Sequence, residues 1–280
     1  MSATNVEAAA PLPDGPPGGE PARPGPWWVL RDTWTVTKRN MRHFVRQPRL
    51  LVFSTIQPVM FVVLFAFVFD GVVGTALPED VSYINFLLPG IFVQSAAFRV
   101  TQTAVGLAED LERGVVDRFR SMPMARSAVL GGRTAADLLR SLAVILLMIG
   151  VGYLIGFRFQ VGVAASIGAI LVVALFGYAL SWIFTYLALV VPGAEAVQAA
   201  GFVAIFPIVF ASSVFVPVET MPDWLQTIVT YNPVTLAADA TRALSIGGPT
   251  LFPAVGTIVM SLLIMLVFIP ISVGRYRRMT

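Results

Sequence analysis

Residues 163–190, VAASIGAILVVALFGYALSWIFTYLALV, contain no Asp, Glu, Lys, Arg or His. A stretch that long and that apolar belongs in a lipid bilayer or at the centre of a large protein. At 280 residues, the chain is too small to enclose several such stretches in polar layers. Comparable runs recur at about 50–69, 85–107, 137–157, 197–216 and 252–273, each near the ~20 residues a spanning helix needs. Backbone groups in lipid must pair among themselves, so these runs are helices. The expectation is an all-α integral membrane protein with six transmembrane helices, and Pro58 and Pro207 are tolerated inside their spans. Composition agrees: 56% of residues are hydrophobic and 12% charged, about half the charged share of soluble domains.

The flanks divide the chain further. Residues 1–26 hold seven prolines among Ala, Gly and acids, a composition that cannot bury enough to order itself, so a disordered tail is expected. Residues 27–48 differ. Trp27, Leu30, Trp34, Met41 and Val45 fall on helical spacing opposite Arg31, Lys38, Arg39, Arg42 and Arg46, the pattern of an amphipathic helix lying in the membrane interface or of an ordinary helix in the cytosol. A six-span domain is expected over 49–274, with a cytoplasmic segment at 108–135 and a basic cytoplasmic tail at 275–280. Segments 23–49, 108–136 and 275–278 carry seven, five and three basic residues, whereas 70–84 carries none and 158–162 and 217–251 carry one each. The positive-inside rule then puts both termini in the cytoplasm. A bacterial inner membrane is the expected location.

Several chemistries are excluded. There is no cysteine, and His43 is the only histidine, which leaves no metal site of the usual kind and no His-based catalytic triad. Lys38, the only lysine, is followed by Arg39 with no glycine nearby, so the phosphate-cradling loop of an ATPase is missing. No Gly-x-Ser-x-Gly elbow occurs. No catalytic residue, metal or cofactor is assigned to the chain. The basic residues gather beside apolar runs and form no nucleic-acid-binding face.

The interiors of the six expected spans hold no acid, and Arg99 is the one deep ionisable residue. Its span also carries Gln94, Ser95, Thr101, Gln102 and Thr103, so it faces the bundle interior. Arg99 either lines a substrate path or binds an anionic head group, or it snorkels and bonds to neighbouring carbonyls. Gln94, Arg99, Thr101, Ser212 and Ser213 are the candidate pathway residues.

Two connecting segments carry further pattern. In EDLERGVVDRFRSMPMARS, Leu111, Val115, Phe119 and Met122 continue a stripe from Leu107 at helical spacing. Charged residues fill the other positions, Pro123 stops the helix, and Gly131 and Gly132 break the chain before it re-enters the membrane. Such a helix either rests on the bilayer or docks a cytoplasmic partner. Residues 217–248 read as two short helices: Pro222 and Pro233 suit first turns, Asn232 caps the second helix, and Gly247 and Gly248 close it. Trp224, Leu225, Ile228 and Val229 give the first an apolar face. The pair forms external re-entrant half-helices, with Pro222, Trp224, Asn232 and Pro233 as an outer gate, or a plain loop lying on lipid.

From about residue 27 onward the sequence resembles the permease subunits of type-2 ATP-binding-cassette exporters, and most nearly the daunorubicin/doxorubicin-resistance permeases. Two stretches carry the likeness: EDLERGVVDRFRSMPMARSAVLGGR (109–133) and FVPVETMPDWLQTIVTYNPVTLAADATRAL (215–244). The resemblance implies a permease working as a homodimer or pseudo-dimer with two copies of a cytoplasmic nucleotide-binding ATPase subunit, which binds ATP and Mg. The 109–124 helix would be the coupling helix, with Glu112, Arg113, Gly114, Asp117, Arg118, Phe119, Arg120, Met122 and Pro123 as ATPase contacts. The 27–48 helix would be the connecting helix. The implied function is export of hydrophobic or amphipathic molecules, whether drug, lipid or glycolipid. The rival readings are a secondary transporter and a membrane assembly or receptor protein.

Overall fold

The computed structural model describes residues 31, 33–35, 37, 38, 48–78, 81–114 and 126–279. Among them every regular element is helical. Helix α1 spans Pro48–Val68, with proline at the position where its missing N–H costs nothing. A bend of 53° leads into the short α2, Asp70–Val73, and a 3₁₀ turn at Gly74–Ala76. Then come α3 (Tyr83–Glu112), α4 (Arg126–Leu154), α5 (Val163–Val190) and α6 (Ala194–Phe210). A 3₁₀ turn at Val218–Thr220 precedes α7 (Asp223–Thr230) and α8 (Pro233–Ile246), and α9 covers Leu251–Arg278.

Helix α3 is the axis of the bundle. It packs against α1, α4, α5, α6 and α8, and 83% of its apolar window is buried, against 11% for α9. The remaining apolar faces, such as Leu262, Leu263 and Leu266 of α9, stay exposed, as lipid-facing surfaces do. Close approach is possible where side chains are absent. A Cβ on Gly90 would meet the Val214 carbonyl oxygen at 2.6 Å, so α3 lies directly against the backbone that follows α6.

Six spans were expected. Among the described residues four helices are long and apolar enough to cross a membrane, five if α1 and the α2 segment count as one bent span. The other apolar run gives α6, only 17 residues, or about 25 Å against the ~30 Å of a hydrocarbon core. Its start is well defined. Val191 is extended before Pro192, and Gly193 takes φ +91°, a conformation that suits glycine.

Three expectations from the sequence are corrected. Gly131 and Gly132 do not break the chain; both lie inside α4, beside the segment containing Thr33 and Thr37. The buried Thr37 hydroxyl donates to the Gly132 carbonyl at 3.1 Å, and Thr33 lies beside Gly131. Second, the stripe from Leu107 to Met122 is not one continuous helix. Helix α3 ends at Glu112, and Gly114 turns the chain at φ +64°. Third, α4 starts at Arg126 and not near 137, so Asp137 sits within a membrane helix, against the expectation that the spans contain no acid. Most of the 27–48 helix and all of the 1–26 tail lie outside the described residues.

Candidate functional site

Helix α6 runs antiparallel to α3, and contacts along its length fix the register. The Glu112 carboxylate at the end of α3 accepts a hydrogen bond from the Ala194 amide at the start of α6, 3.0 Å away, a favourable place for a negative charge. Farther along, a Cβ on Gly201 would come within 2.8 Å of the Thr101 methyl, and Phe98 faces Phe202 with ring centroids 6.1 Å apart.

From that point phenylalanines continue to the Tyr83 end of the bundle. Phe202 and Phe206 are 5.3 Å apart, Phe206 and Phe210 4.2 Å, and Phe210 and Phe215 5.3 Å. Phe215 stacks on Phe65 at 4.4 Å, and Phe65 on Phe69 at 4.9 Å. The spacing of four along α6 places Phe202, Phe206 and Phe210 on one face, and all three are exposed. Together they form a continuous aromatic ladder from the middle of α3 to the end of α1.

A second feature is charged. Asp137 of α4 lies 3.6 Å from Arg140, beside the Thr103 hydroxyl and close to Arg99. Arg133, one turn before Asp137, pairs with Asp110, and its guanidinium lies over Gly106, in the space a side chain there would take unless the arginine shifted. The Arg99 Nε is buried without a hydrogen-bond partner. Charges this deep are retained only when neighbouring groups compensate them.

A third feature lies at the Tyr83 end. Arg242 of α8 donates from Nε to the Phe86 carbonyl at 3.0 Å, from Nη2 to the Ser213 carbonyl at 2.9 Å, and from Nη1 to Asp239. Its guanidinium carbon sits 3.7 Å from the centre of the Phe86 ring. Ser213 donates its hydroxyl to the same Asp239 oxygen at 2.7 Å. Burial lowers the Arg242 pKa and Asp239 opposes that shift. One residue therefore ties α8 to α3 and to the 211–217 loop. Beside it opens a cavity of about 470 Å³, lined by Phe86, Glu219, Gln226, Asp239, Arg242 and Phe252 among others.

The Asn232 cap forms as expected: its Oδ1 accepts from the Val234 amide at 2.8 Å, with Pro233 opening the helix. Its Nδ2 also donates to the Ile208 and Ala211 carbonyls, at 2.7 and 2.6 Å, binding the α7–α8 junction to the end of α6. Pro222 precedes α7 at its cap position, Gly247 closes α8 at φ +99°, and Trp224 is exposed.

The five candidate pathway residues do not converge. Gln94 and Thr101 are seven residues apart and share one face of α3, whereas Arg99 is about 200° from Thr101 and faces α4. Ser212 donates to the Val209 carbonyl, and Ser213 belongs with Arg242. Of the expected ATPase contacts, Glu112 is engaged with Ala194 and Arg113 with Glu109 at 3.2 Å, while Asp117, Arg118, Phe119, Arg120, Met122 and Pro123 lie outside the described residues. Sequence reasoning missed Asp137, Asp239 and Arg242 as interior charges. Their signal was the three-residue spacing of Asp137 to Arg140 and Asp239 to Arg242 inside otherwise apolar helices.

Residues 31–246 match the family model described as ABC-2 type transporter. The chain belongs to the ABC-2 type transporter family. Its relatives include the daunorubicin-resistance ABC transporter permease DrrB1 of Streptomyces coeruleorubidus, 33% identical over 91% of this chain and 89% of that one. The probable doxorubicin-resistance ABC transporter permease DrrC of Mycobacterium tuberculosis is 30% identical over 89% of each chain. The putative transport permease ycf38 of Cyanophora paradoxa is 24% identical over 78% of this chain and 75% of its own. As an ABC-2 permease the chain is a multi-pass membrane protein.

Proposed function

We propose that this ABC-2 permease exports hydrophobic or amphipathic molecules from a bacterial cell, and that flat aromatic cargo moves along the phenylalanine ladder. The ladder carries the reading: six consecutive ring contacts from Phe98 to Phe69 lead from mid-bundle to one end, and stacking on any one is worth only about 0.5–1.5 kcal/mol. Cargo held that weakly at each step can advance. The names of the DrrB1 and DrrC relatives, which refer to daunorubicin and doxorubicin, support a drug-like cargo.

In this reading α6 is the sixth span, both termini are cytoplasmic, and two permease copies pair with two ATPase subunits. The ATPase subunits hold ATP and Mg, whose hydrolysis supplies the driving force. Residues 109–124 dock on them. Movement there reaches α3 directly and α6 through Glu112, while α7 and α8 gate the outer end through Asn232 and Arg242.

The test is efflux from vesicles containing the permease and its ATPase subunit, with a planar polycyclic dye as cargo. Phe206→Ala with Phe210→Ala should lower efflux about tenfold while ATPase activity persists. Unchanged efflux would remove the ladder from the pathway. Asp137 supplies the intramembrane carboxylate that a proton-coupled carrier needs. Efflux that is independent of ATP and abolished by a protonophore would therefore establish that second reading.

A further inference from the structure

We propose that the cavity beside Arg242, bordered by α7, α8 and the start of α9, binds an organic cation: a protonated amine on an apolar or aromatic body. At about 470 Å³ it falls in the range that takes drug-sized ligands. Val218, Leu236, Phe252 and Pro253 supply apolar surface to it, and Phe252 is exposed. An inorganic ion has no use for such walls. Among the described residues, moreover, no group of three acidic, His or Cys side chains stands close enough to hold a metal ion.

Charge decides the sign of the ligand. Glu219 and Asp239 both line the cavity, against one cation, Arg242. Each guanidinium nitrogen of Arg242 is already engaged, with the Phe86 carbonyl, the Ser213 carbonyl and Asp239, and the group lies on the Phe86 ring. Arg242 therefore cancels Asp239 and leaves Glu219 over. Among the described residues Glu219 has neither an ion pair nor a hydrogen bond.

The hydrogen-bonding groups point the same way. Ser213 spends its hydroxyl proton on Asp239 at 2.7 Å, Thr230 on the Gln226 carbonyl at 2.7 Å, and Gln226 donates from Nε2 to the Met221 carbonyl at 2.8 Å. The acceptors are left over. No described residue donates to the Glu219 carboxylate, to the second oxygen of Asp239 or to Gln226 Oε1. A ligand that fills the cavity must bring donors and positive charge. An ammonium brings both, with three N–H donors and no acceptor, whereas an anion meets carboxylates.

The experiment is equilibrium dialysis against the full-length chain in phosphatidylcholine nanodiscs, with binding to empty discs subtracted. Three probes share one ring system: aminomethylanthracene, a cation; hydroxymethylanthracene, neutral; and anthracenecarboxylate, an anion. The amine should bind saturably and about tenfold more tightly than the alcohol, and the carboxylate should show no saturable binding. Glu219→Gln, at an exposed position, should weaken the amine about fivefold and leave the alcohol unchanged. Phe252→Ala should weaken amine and alcohol alike. In the unaltered chain, added salt should weaken the amine only, an arm that needs no variant to fold. Absence of saturable amine binding, equal affinity for amine and alcohol, or saturable binding of the carboxylate would overturn the proposal. So would amine binding indifferent to salt and to Glu219→Gln, or probe binding unchanged by Phe252→Ala. Two sources carry this chemistry, cargo on its way out and an amine in the surrounding medium. Efflux of aminomethylanthracene from vesicles holding permease and ATPase subunit, lost in Glu219→Gln, assigns the site to cargo; binding without efflux assigns it to the medium. Only this last arm rests on the export reading, so failure of that reading leaves the binding result standing.

Discussion

Replacing Arg242 by methionine tests how far the outer end of the bundle depends on one guanidinium. The substitution keeps much of the stem and its packing on Phe86 but removes the hydrogen bonds to the Phe86 and Ser213 carbonyls and the pair with Asp239. Breaking a buried ion pair from one side costs about 3–5 kcal/mol. Arg242 is nearly enclosed, with side-chain exposure of 11%, whereas Asp239 is 36% exposed and can hydrate once orphaned. The low end therefore applies, about 3 kcal/mol, with the two orphaned carbonyls included. For a chain of this size, that corresponds to an unfolding temperature about 6–9 °C lower. Thermal unfolding of the full-length permease in nanodiscs measures it. Arg242→Lys should fall between the two, because lysine keeps the charge but cannot reach several acceptors with a planar fork. Adding Asp239→Leu to Arg242→Met should recover part of the loss, since no unpaired charge then remains. A drop below about 1 °C for Arg242→Met would refute the clamp.

Asn232→Ala loses an N-cap worth about 1 kcal/mol and two further donations to the end of α6. Amide exchange over 223–246 should accelerate about tenfold or more, and an unchanged rate would count against Asn232 as the tie between the half-helices and α6. Gly90→Ala forces a methyl against the Val214 backbone; overpacking of about 1–3 kcal/mol outweighs the ~1 kcal/mol helix-propensity gain. A variant with a higher unfolding temperature than the parent would show that α3 and the 211–217 loop have room to separate.

Features fixed by neighbours in the chain were legible in the sequence. The Asn232–Pro233 start and Gly247 stop of α8 follow from local backbone requirements, as does the break at Pro192 and Gly193. The apolar runs marked the long helices for the same reason, because each carries its own evidence over twenty residues. Features that depend on a distant partner were not legible. Arg242 looked like a lone base in an external connection because its acceptors, Phe86 and Ser213, are 156 and 29 residues away. Gly131 and Gly132 looked like helix breakers because the threonines packed beside them lie almost a hundred residues earlier. Asp137 fell at the edge of an apolar window drawn by hydropathy, which could not register that Arg133 and Arg140 extend the helix around it. The phenylalanine ladder joins four separate segments, none of which has an aromatic pattern long enough to stand out alone.

The burial of α3 has a consequence for how the protein is made. It leaves the ribosome before α5, α6 and α8, yet those three cover much of its polar surface. Until they arrive, Thr101 sits in a helix hairpin without Gly201, the neighbour that later covers it. The newly inserted first half is thus an unfinished membrane protein, and it gains most of its packing only when the second half closes around it.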